Sequence, residues 1–445
     1  MNRKAWSKMH FSIADTEELL DAFGSTYISY RLCCNGTYHG SARYREFFDL
    51  HETLRKDYHT LPCFPPKKLF NLTAVELSGR RTALEKYMQN LGQSSELLNT
   101  AALQDFLQRI QLRSCDKLQP GTHNVFLLNG NCIEVKVDPK IPASELLEMV
   151  CHEIKLPSEL THYFALFLAK EENKRYTLFK RFFSFELPFV VCSLNSNGSS
   201  SLRIILRKGY WDSSFDAQML ESRVGTNLLF VETVDAINRG WILPSPEQKS
   251  HLENLQSKGS RKELVQVAQT VRGYGTLHFA TCTIDYPSSS TTTKPYITAK
   301  DLICPLKSEG SQKQEAVFRV VRMRCWRLCV SETYKTARPP EALNQPRQSI
   351  MFEYLLGRDK LQWVTIHSEE AIWISSCLQS IVEELMLIKK GQKIDGKPFM
   401  TDEKKLSRSR SNSSTTSESL QVSVTITRNH INGNSAFEEI RDEDL

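Results

Sequence analysis

The sequence predicts a multidomain α+β protein: several small folded units in series, followed by a polar tail. Three observations carry this. The chain has 445 residues, and at roughly 100–200 residues per domain that length holds two to four units. Strand-like alternation of polar and apolar residues starts afresh three times, and helical periodicity follows each time. Beyond Gly391 apolar residues thin out, and charge and serine take over.

Residues 9–113 read as the first unit. Alternation over Thr26–Cys34 and Thr37–Tyr44 predicts a meander of strands, and Phe47, Leu50 and Leu54 open a helix at i, i+3 and i+7. LPCFPPKK should be extended, because proline fixes φ and biases the residue before it. Helices are expected over Ala74–Leu91 and Glu96–Leu112, each with an apolar stripe. Residues 120–208 restart with a hairpin turning at Asn129–Gly130, then a helix with Leu147, Val150, Cys151 and Ile154 inward, then two strands. That order is the order of a ubiquitin-like fold. Residues 216–275 are helical. Residues 276–391 return to strands and close with one long helix, with Ser368 as its N-cap and Lys389–Gly391 at its end, the layout of a PH- or PTB-like unit. Residues 392–445 should be disordered, because they offer little apolar surface to offset ordering entropy.

Net charge is +6, from 57 basic and 51 acidic residues. That balance argues against wholesale nucleic-acid binding but allows a local basic patch. The 12 cysteines are irregularly spaced and include no CxxC pair. The start, MNRKAWSKMHFS, lacks an apolar signal core, and no run of 18 apolar residues occurs. The expectation is a cytoplasmic protein with reduced thiols that reaches membranes by reversible docking.

The stretch ARYREFFDLHETL, Ala42–Leu54, sets Arg43 before Tyr44 at a strand–helix junction. Alone the pair reads as surface packing. Its neighbours change that. Pro65–Pro66–Lys67–Lys68 can fold back over the helix, and Arg80 and Arg81 lie in the next helix. Cations from three segments can converge on one anion. A guanidinium binds phosphate through paired hydrogen bonds, a lysine acts as a mobile point charge, and a tyrosine ring can lie against a sugar-like ring.

ARYREFFDLHETLRKDY, LPCFPPKKLF and GRRTALEKYM resemble the motif series of PX domains. The resemblance implies that Arg43 grips the 3-phosphate of phosphatidylinositol 3-phosphate and that Tyr44 stacks on the inositol. Lys67 would contact the 1-phosphate, and Arg80 the 4- and 5-hydroxyls. Ser41 stands where several PX domains carry a further basic residue. RKGYWDSSFD, NRGWILP, VFRVVRMRCWRL, DKLQWVTI and CLQSIVEELM resemble the PX–FERM sorting nexins, and the ending DEDL resembles their sorting nexin-17 and sorting nexin-31 branch. This implies a PX domain followed by a FERM-like module of F1, F2 and F3 lobes, working as an adaptor on early and recycling endosomes.

Strand alternation in VFRVVRMRCWRL places Val321, Met323 and Cys325 on one face and Arg322, Arg324 and Trp326 on the other. A tryptophan there either packs under another element or lies on an open face; the flanking arginines favour the open face. An extended peptide can add to such a strand's edge. The resemblance implies that Trp326, with Val382 and Met386 of the closing helix, holds NPxY- or NxxY-type motifs from transmembrane cargo tails. In the last stretch, SAFEEIRDEDL, Phe437 and Ile440 interleave with Asp442, Glu443 and Asp444 before Leu445. By the same resemblance this tail recruits a Retriever- or Commander-type recycling complex. No GxSxG, P-loop or HExxH pattern occurs, so neither catalysis nor a metal or cofactor is expected. The alternatives are a FERM-type membrane–cytoskeleton linker and a PX-targeted lipid or GTPase regulatory enzyme.

Overall fold

The computed structural model describes residues 8–21, 23–68, 72–113, 120–173, 175–196, 201–306, 314–330, 348–357, 360–392, 394 and 424–427. The chain divides into two compact units between Leu277 and His278.

The first unit opens with an antiparallel sheet of β1 (Phe11–Leu20), β2 (Thr26–Cys34) and β3 (Thr37–Arg43), in that order. Phe11, Ile13, Tyr30, Leu32 and Ala42 share a core with α1 (Tyr44–Asp57), α2 (Ala74–Gln93), α3 (Ser95–Leu98) and α4 (Ala101–Arg113). The helix expected over Glu96–Leu112 is broken in two. Ser94 Oγ accepts the Leu97 N–H and Thr100 Oγ1 accepts the Leu103 N–H, so each starts a helix of its own. α2 begins with a capping box in which Thr73 Oγ1 accepts the Glu76 N–H and Glu76 accepts the Thr73 N–H. At Gly92 a Cβ would lie 2.4 Å from the Met9 carbonyl oxygen, so only glycine allows α2 to pass this close to the start of the sheet.

The next segment holds β4 (Gly121–Phe126), β5 (Cys132–Val137), α5 (Ala143–Glu153), β6 (Phe164–Glu172), β7 (Arg175–Arg181), α6 (Pro188–Asn195) and β8 (Ser201–Lys208). Its sheet runs β5-β4-β8-β6-β7, with β4 and β8 parallel. It is joined to the first sheet by buried polar groups. Lys180 of β7 pairs with Glu186 at 2.7 Å and donates to the Cys34 carbonyl and Thr37 Oγ1 at 3.0 and 2.7 Å. His39 of β3 lies beside Glu186 and shares a 3.0 Å hydrogen bond with the Leu107 carbonyl through Nε2. Burial, and after it the Lys180 charge, push the His39 imidazole down to about 3, so it is neutral near pH 7. Tyr38 and Asn195 exchange two 2.9 Å hydrogen bonds. Phe183 and Phe185 enter the core of the first sheet. The two segments therefore fold around shared apolar surface.

The helices α7 (Asp216–Met219), α8 (Arg223–Asn238), α9 (Pro246–Lys258) and α10 (Arg261–Gln269) complete this unit. The buried Asp216 carboxylate accepts from the hydroxyls of Tyr210 (2.6 Å) and Tyr274 (2.7 Å) and from Gln269 (2.9 Å), which ties the ends of the helical segment together.

From β9 (Leu277–His278) the chain is again mostly strands: β10 (Cys282–Ile284), β11 (Thr291–Thr293), β12 (Tyr296–Ile297), β13 (Asp301–Leu306), β14 (Gln314–Arg319), β15 (Met323–Val330), β16 (Gln348–Leu355) and β17 (Leu361–His367). α11 (Ala371–Lys389) packs across β15 and β16. It starts later than expected: Glu370 is its N-cap, and Ser368 Oγ accepts the Glu370 N–H. Among the described helices α11 alone has the length and hydropathy to cross a bilayer, but 56% of that apolar window is buried in the protein. Residues 392–445 contribute one described strand. Val424–Thr427 forms a strand, β18, paired parallel with β15 from Trp326 to Cys329. The sequence around it, QVSVTIT, alternates β-branched and polar residues and so has strand propensity despite its serine-rich surroundings. The sheets are ordered β14-β13-β12-β9 and β11-β10-β17-β16-β15-β18.

Candidate functional site

The junction of β3 and α1 carries the first site. Arg43 is the N-cap of α1, and its backbone N–H donates to Glu46 Oε2 at 2.9 Å. Glu46 Oε1 also pairs with Arg113 Nη2 from the end of α4, at 2.8 Å. The backbone of Arg43 is thus fixed while its guanidinium lies 3.4 Å from the centre of the Tyr27 ring. Tyr44 follows directly. Its hydroxyl donates to the Pro65 carbonyl at 2.8 Å, which fastens the PPKK loop to α1. The Arg80 guanidinium lies 4.5 Å from the centre of the Tyr44 ring, within the range of a cation–π contact. Burial raises the Tyr44 pKa and the Arg80 charge opposes the rise.

Arg80 and its neighbour Arg81 have different surroundings. Arg81 Nη1 donates to the Ile13 carbonyl at 2.7 Å and lies 3.6 Å from Glu85, which itself accepts the Ile13 N–H at 3.0 Å. That arginine clamps α2 to β1. Arg80 is half-buried with its Nη2 buried; burial raises the Tyr30 pKa, and the charge and hydrogen bond of Arg80 oppose that rise. Lys68 pairs with Glu76, and that bond leads the causes that hold the Glu76 carboxyl down to about 2. Lys67 is exposed beside it. The fold therefore brings Tyr44, Arg80 and the loop before Lys67 into contact, with Arg43 at the helix start. Ser41 hydrogen-bonds the Tyr38 hydroxyl, and directly across from it on β2 is Arg31, which stacks on Tyr38 at 4.6 Å and pairs with Glu17. Arg31 was missed because its closeness to Ser41 depends on strand register, and a residue shift between Leu32 and Cys33 makes that register irregular.

The second predicted site is changed by the structure. Trp326 is 0% exposed, and its Nε1–H donates to Ser375 Oγ of α11 at 2.9 Å. The open-face expectation for Trp326 is wrong, and the cause is local. Val320–Arg322 forms a 3₁₀ turn, and β15 then has a bulge between Met323 and Cys325. The extra residue resets the alternation, so Met323, Trp326 and Leu328 all point inward. The arginines take other partners: Arg324 pairs with Glu353 at 3.5 Å, and Arg327 lies 4.7 Å over Trp363. Val382 is buried on α11 and Met386 is half-buried. The free backbone edge of β15 is the edge that β18 covers. Phe437, Ile440, Asp442, Glu443, Asp444 and Leu445 lie outside the described residues.

Known families match most of residues 34–386. Residues 34–109 match the PX domain; 121–211 and 212–272 match the F1 lobe of the sorting nexin 17/27/31 FERM domain and the F2 lobe of the sorting nexin 17/31 FERM domain; 275–386 match the Sorting Nexin 17 FERM C-terminal domain. Sorting nexin-17 of Homo sapiens is 42% identical over 394 residues, covering 87% of this chain and 83% of that protein. Sorting nexin-31 of Homo sapiens is 32% identical over 385 residues, covering 85% of this chain and 86% of that one. A solved structure of a designed CISK-PX domain is 32% identical and covers 22% of this chain and 97% of its own, with a TM-score of 0.21. A PX domain leading into the three lobes of a FERM module, with these relatives over most of its length, makes this chain a member of the PX–FERM sorting nexins, of the sorting nexin-17 and sorting nexin-31 type.

Proposed function

We propose that the protein is a non-enzymatic endosomal sorting adaptor that reads a lipid and a cargo peptide on the same membrane. Its PX domain binds phosphatidylinositol 3-phosphate through Arg43, Tyr44, Lys67 and Arg80. The observation that carries this is the half-buried Arg80 side chain stacked on Tyr44, whose hydroxyl in turn holds the loop leading to Lys67. A half-buried arginine stacked on a tyrosine, with an exposed lysine on the loop that this tyrosine holds, suits a ring bearing phosphates and hydroxyls. The FERM module takes NPxY/NxxY motifs along the edge of β15 beside α11, with Met386 in contact and Trp326 as the support beneath the strand. Each interaction is modest alone; on one membrane they add through effective concentration. Cargo held this way returns to the cell surface instead of the lysosome, with the acidic–hydrophobic end, Phe437 to Leu445, engaging a Retriever- or Commander-type complex.

Arg43→Ala is expected to move the protein from endosomes to cytosol and to abolish binding to vesicles containing phosphatidylinositol 3-phosphate. Unchanged localisation and unchanged vesicle binding would defeat the lipid reading. Because β18 pairs along the β15 edge, a cargo peptide that uses this backbone has to displace it. Removing Gln421–Thr427 should therefore raise affinity for an NPxY peptide, as read by calorimetry; equal or lower affinity would place the peptide elsewhere. Deleting Asp442–Leu445 should spare lipid and peptide binding yet reduce surface cargo.

A further inference from the structure

The sheet of residues 120–208 ends on an open edge. β5 is the outer strand of the order β5-β4-β8-β6-β7, and among the described residues no strand pairs with its far side. Register shows which backbone groups face outward there. The Leu127 N–H donates to the Asn131 carbonyl at 2.8 Å where the hairpin closes. β4 and β5 then pair without a break from Phe126 opposite Cys132 to Gly121 opposite Val137. In an antiparallel ladder, hydrogen-bonded and non-bonded pairs alternate. Ile133, Val135 and Val137 therefore turn their backbone groups toward β4. The N–H and C=O groups of Cys132, Glu134 and Lys136 point away from the sheet.

A groove of about 790 Å³ runs beside this edge, between β5 and α5. Val135, Met149 and Leu156 give it apolar walls. Met149 is 41% exposed, on a helix whose Leu146 and Val150 are fully buried. Glu148, Met149, His152 and Glu153 lie along the groove, because residues four apart share a helix face. Charge there is mostly negative. Glu134 joins Glu148 and Glu153, against Lys136 and His152. Among the described residues, none of the three carboxylates makes an ion pair. The groove thus sets unused strand hydrogen bonds, an apolar floor and an acidic rim side by side.

We propose that this groove takes an extended, basic segment of a partner protein, which adds to β5 as a sixth strand. The backbone of Cys132, Glu134 and Lys136 supplies the hydrogen bonds. Every second side chain of the segment enters the groove over Val135 and Met149, and flanking lysines or arginines meet Glu148 and Glu153. β5 has six residues, a length of about 20 Å, so the segment is equally short. A second copy of the chain is the poorer occupant. Two β5 edges paired about the middle outward residue would set Glu134 opposite its own counterpart, and like charges directly opposite destabilise a sheet. The site uses neither the headgroup residues nor the β15 edge, so it stands independently of both readings.

The test uses the full-length protein and fluorescent peptides read by anisotropy. The probe is the peptide lysine–threonine–valine–threonine–isoleucine–threonine–lysine; its counterpart carries glutamate in place of both lysines. The basic peptide is expected to bind about tenfold or more tightly than the acidic one, and less tightly as salt is raised. Met149→Glu should weaken it by about tenfold or more, the scale of losing one buried apolar contact. Glu148→Lys with Glu153→Lys, at two exposed positions, should reverse the preference between the two peptides; this pair carries the test if Met149→Glu lowers the thermal unfolding temperature. N-methylation tests the strand itself. Methylating either the threonines or the valine and isoleucine should abolish binding, and the other form should keep it, because alternate N–H groups face the neighbouring strand. No saturable binding of the basic peptide overturns the proposal. So does equal binding of both peptides, or equal loss in both methylated forms. A concentration-dependent dimer in sedimentation that the basic peptide does not dissociate gives the edge to a second copy and overturns it as well.

Discussion

Tyr44 and Trp326 each stand next to an arginine on or beside a strand, and each contacts a neighbouring helix, yet their surroundings differ. Tyr44 is half-buried, offers its ring to the Arg80 guanidinium and spends its hydroxyl on a loop carbonyl. Trp326 is sealed between β15 and α11, with its single donor used by Ser375. Arginine near an aromatic does not by itself mark exposure. What separates the two is where the neighbouring cations go. Beside Trp326 they find Glu353 and the Trp363 ring on the outer face of the sheet. Beside Tyr44, Arg80 lies over the ring itself, close enough to the Tyr30 hydroxyl to oppose its burial-raised pKa. The first pattern belongs to a structural sheet; the second is the one on which the proposed lipid site rests.

The largest effect should come from Trp326→Ala. Truncating a fully buried tryptophan costs about 3–5 kcal/mol, and here it also strands the Ser375 hydroxyl. Hydrogen exchange in β15, β16 and α11 should speed up accordingly, while Tyr44→Ala, at a half-buried position, should disturb its own neighbourhood much less. If Trp326→Ala left amide protection in β15 and α11 intact, the contrast between the two residues would collapse.

The buried seam around His39 gives an intermediate effect. The native imidazole is pushed down to about 3 against an ordinary 6.5, and it faces Lys180 of β7 and Glu186. Between those values the unfolded chain takes up a proton that the native chain refuses. Stability is therefore present above about pH 6.5 and is lost as pH falls toward 3, by at most about 1.4 kcal/mol per pH unit from this group. His39→Gln should flatten that part of the curve for the first unit in thermal unfolding across a pH series. Parallel curves for the two proteins would show that another group sets the acid limit.

How much of this was legible in the sequence depends on the range of the signal. Arg43, Tyr44 and the PPKK loop lie within one short stretch, where proline geometry and helix periodicity are local facts. Their assembly with Arg80 follows from the motif order. Trp326 was misplaced because one bulge inverts the phase of every later side chain, and a bulge leaves no mark in a run such as VVRMRCW. The Lys180–Glu186–His39 seam had no sequence signal at all. It joins residues more than a hundred positions apart, and each reads locally as an ordinary strand or loop residue. β18 was hidden by composition: strand-forming QVSVTIT sits inside a polar segment whose average suggests disorder.

Tyr44→Phe is the smallest and most discriminating change. It removes one hydrogen bond, from the Tyr44 hydroxyl to the Pro65 carbonyl, a net loss of about 1 kcal/mol. The ring stays, and so does the surface on which Arg80 stacks. If the ring itself packs on the lipid headgroup, affinity for a soluble headgroup should fall less than threefold, while hydrogen exchange in the loop before Lys67 should rise. If instead the hydroxyl's grip on the loop is what brings Lys67 to the phosphate, affinity should fall by about tenfold, and the loss should shrink in high salt as the lysine's long-range attraction is screened. The two outcomes assign the site's specificity to different atoms. The first makes Tyr44 a platform like the one Arg80 already uses. The second makes it a hinge pin, closer in role to the buried Trp326 than its exposure suggests.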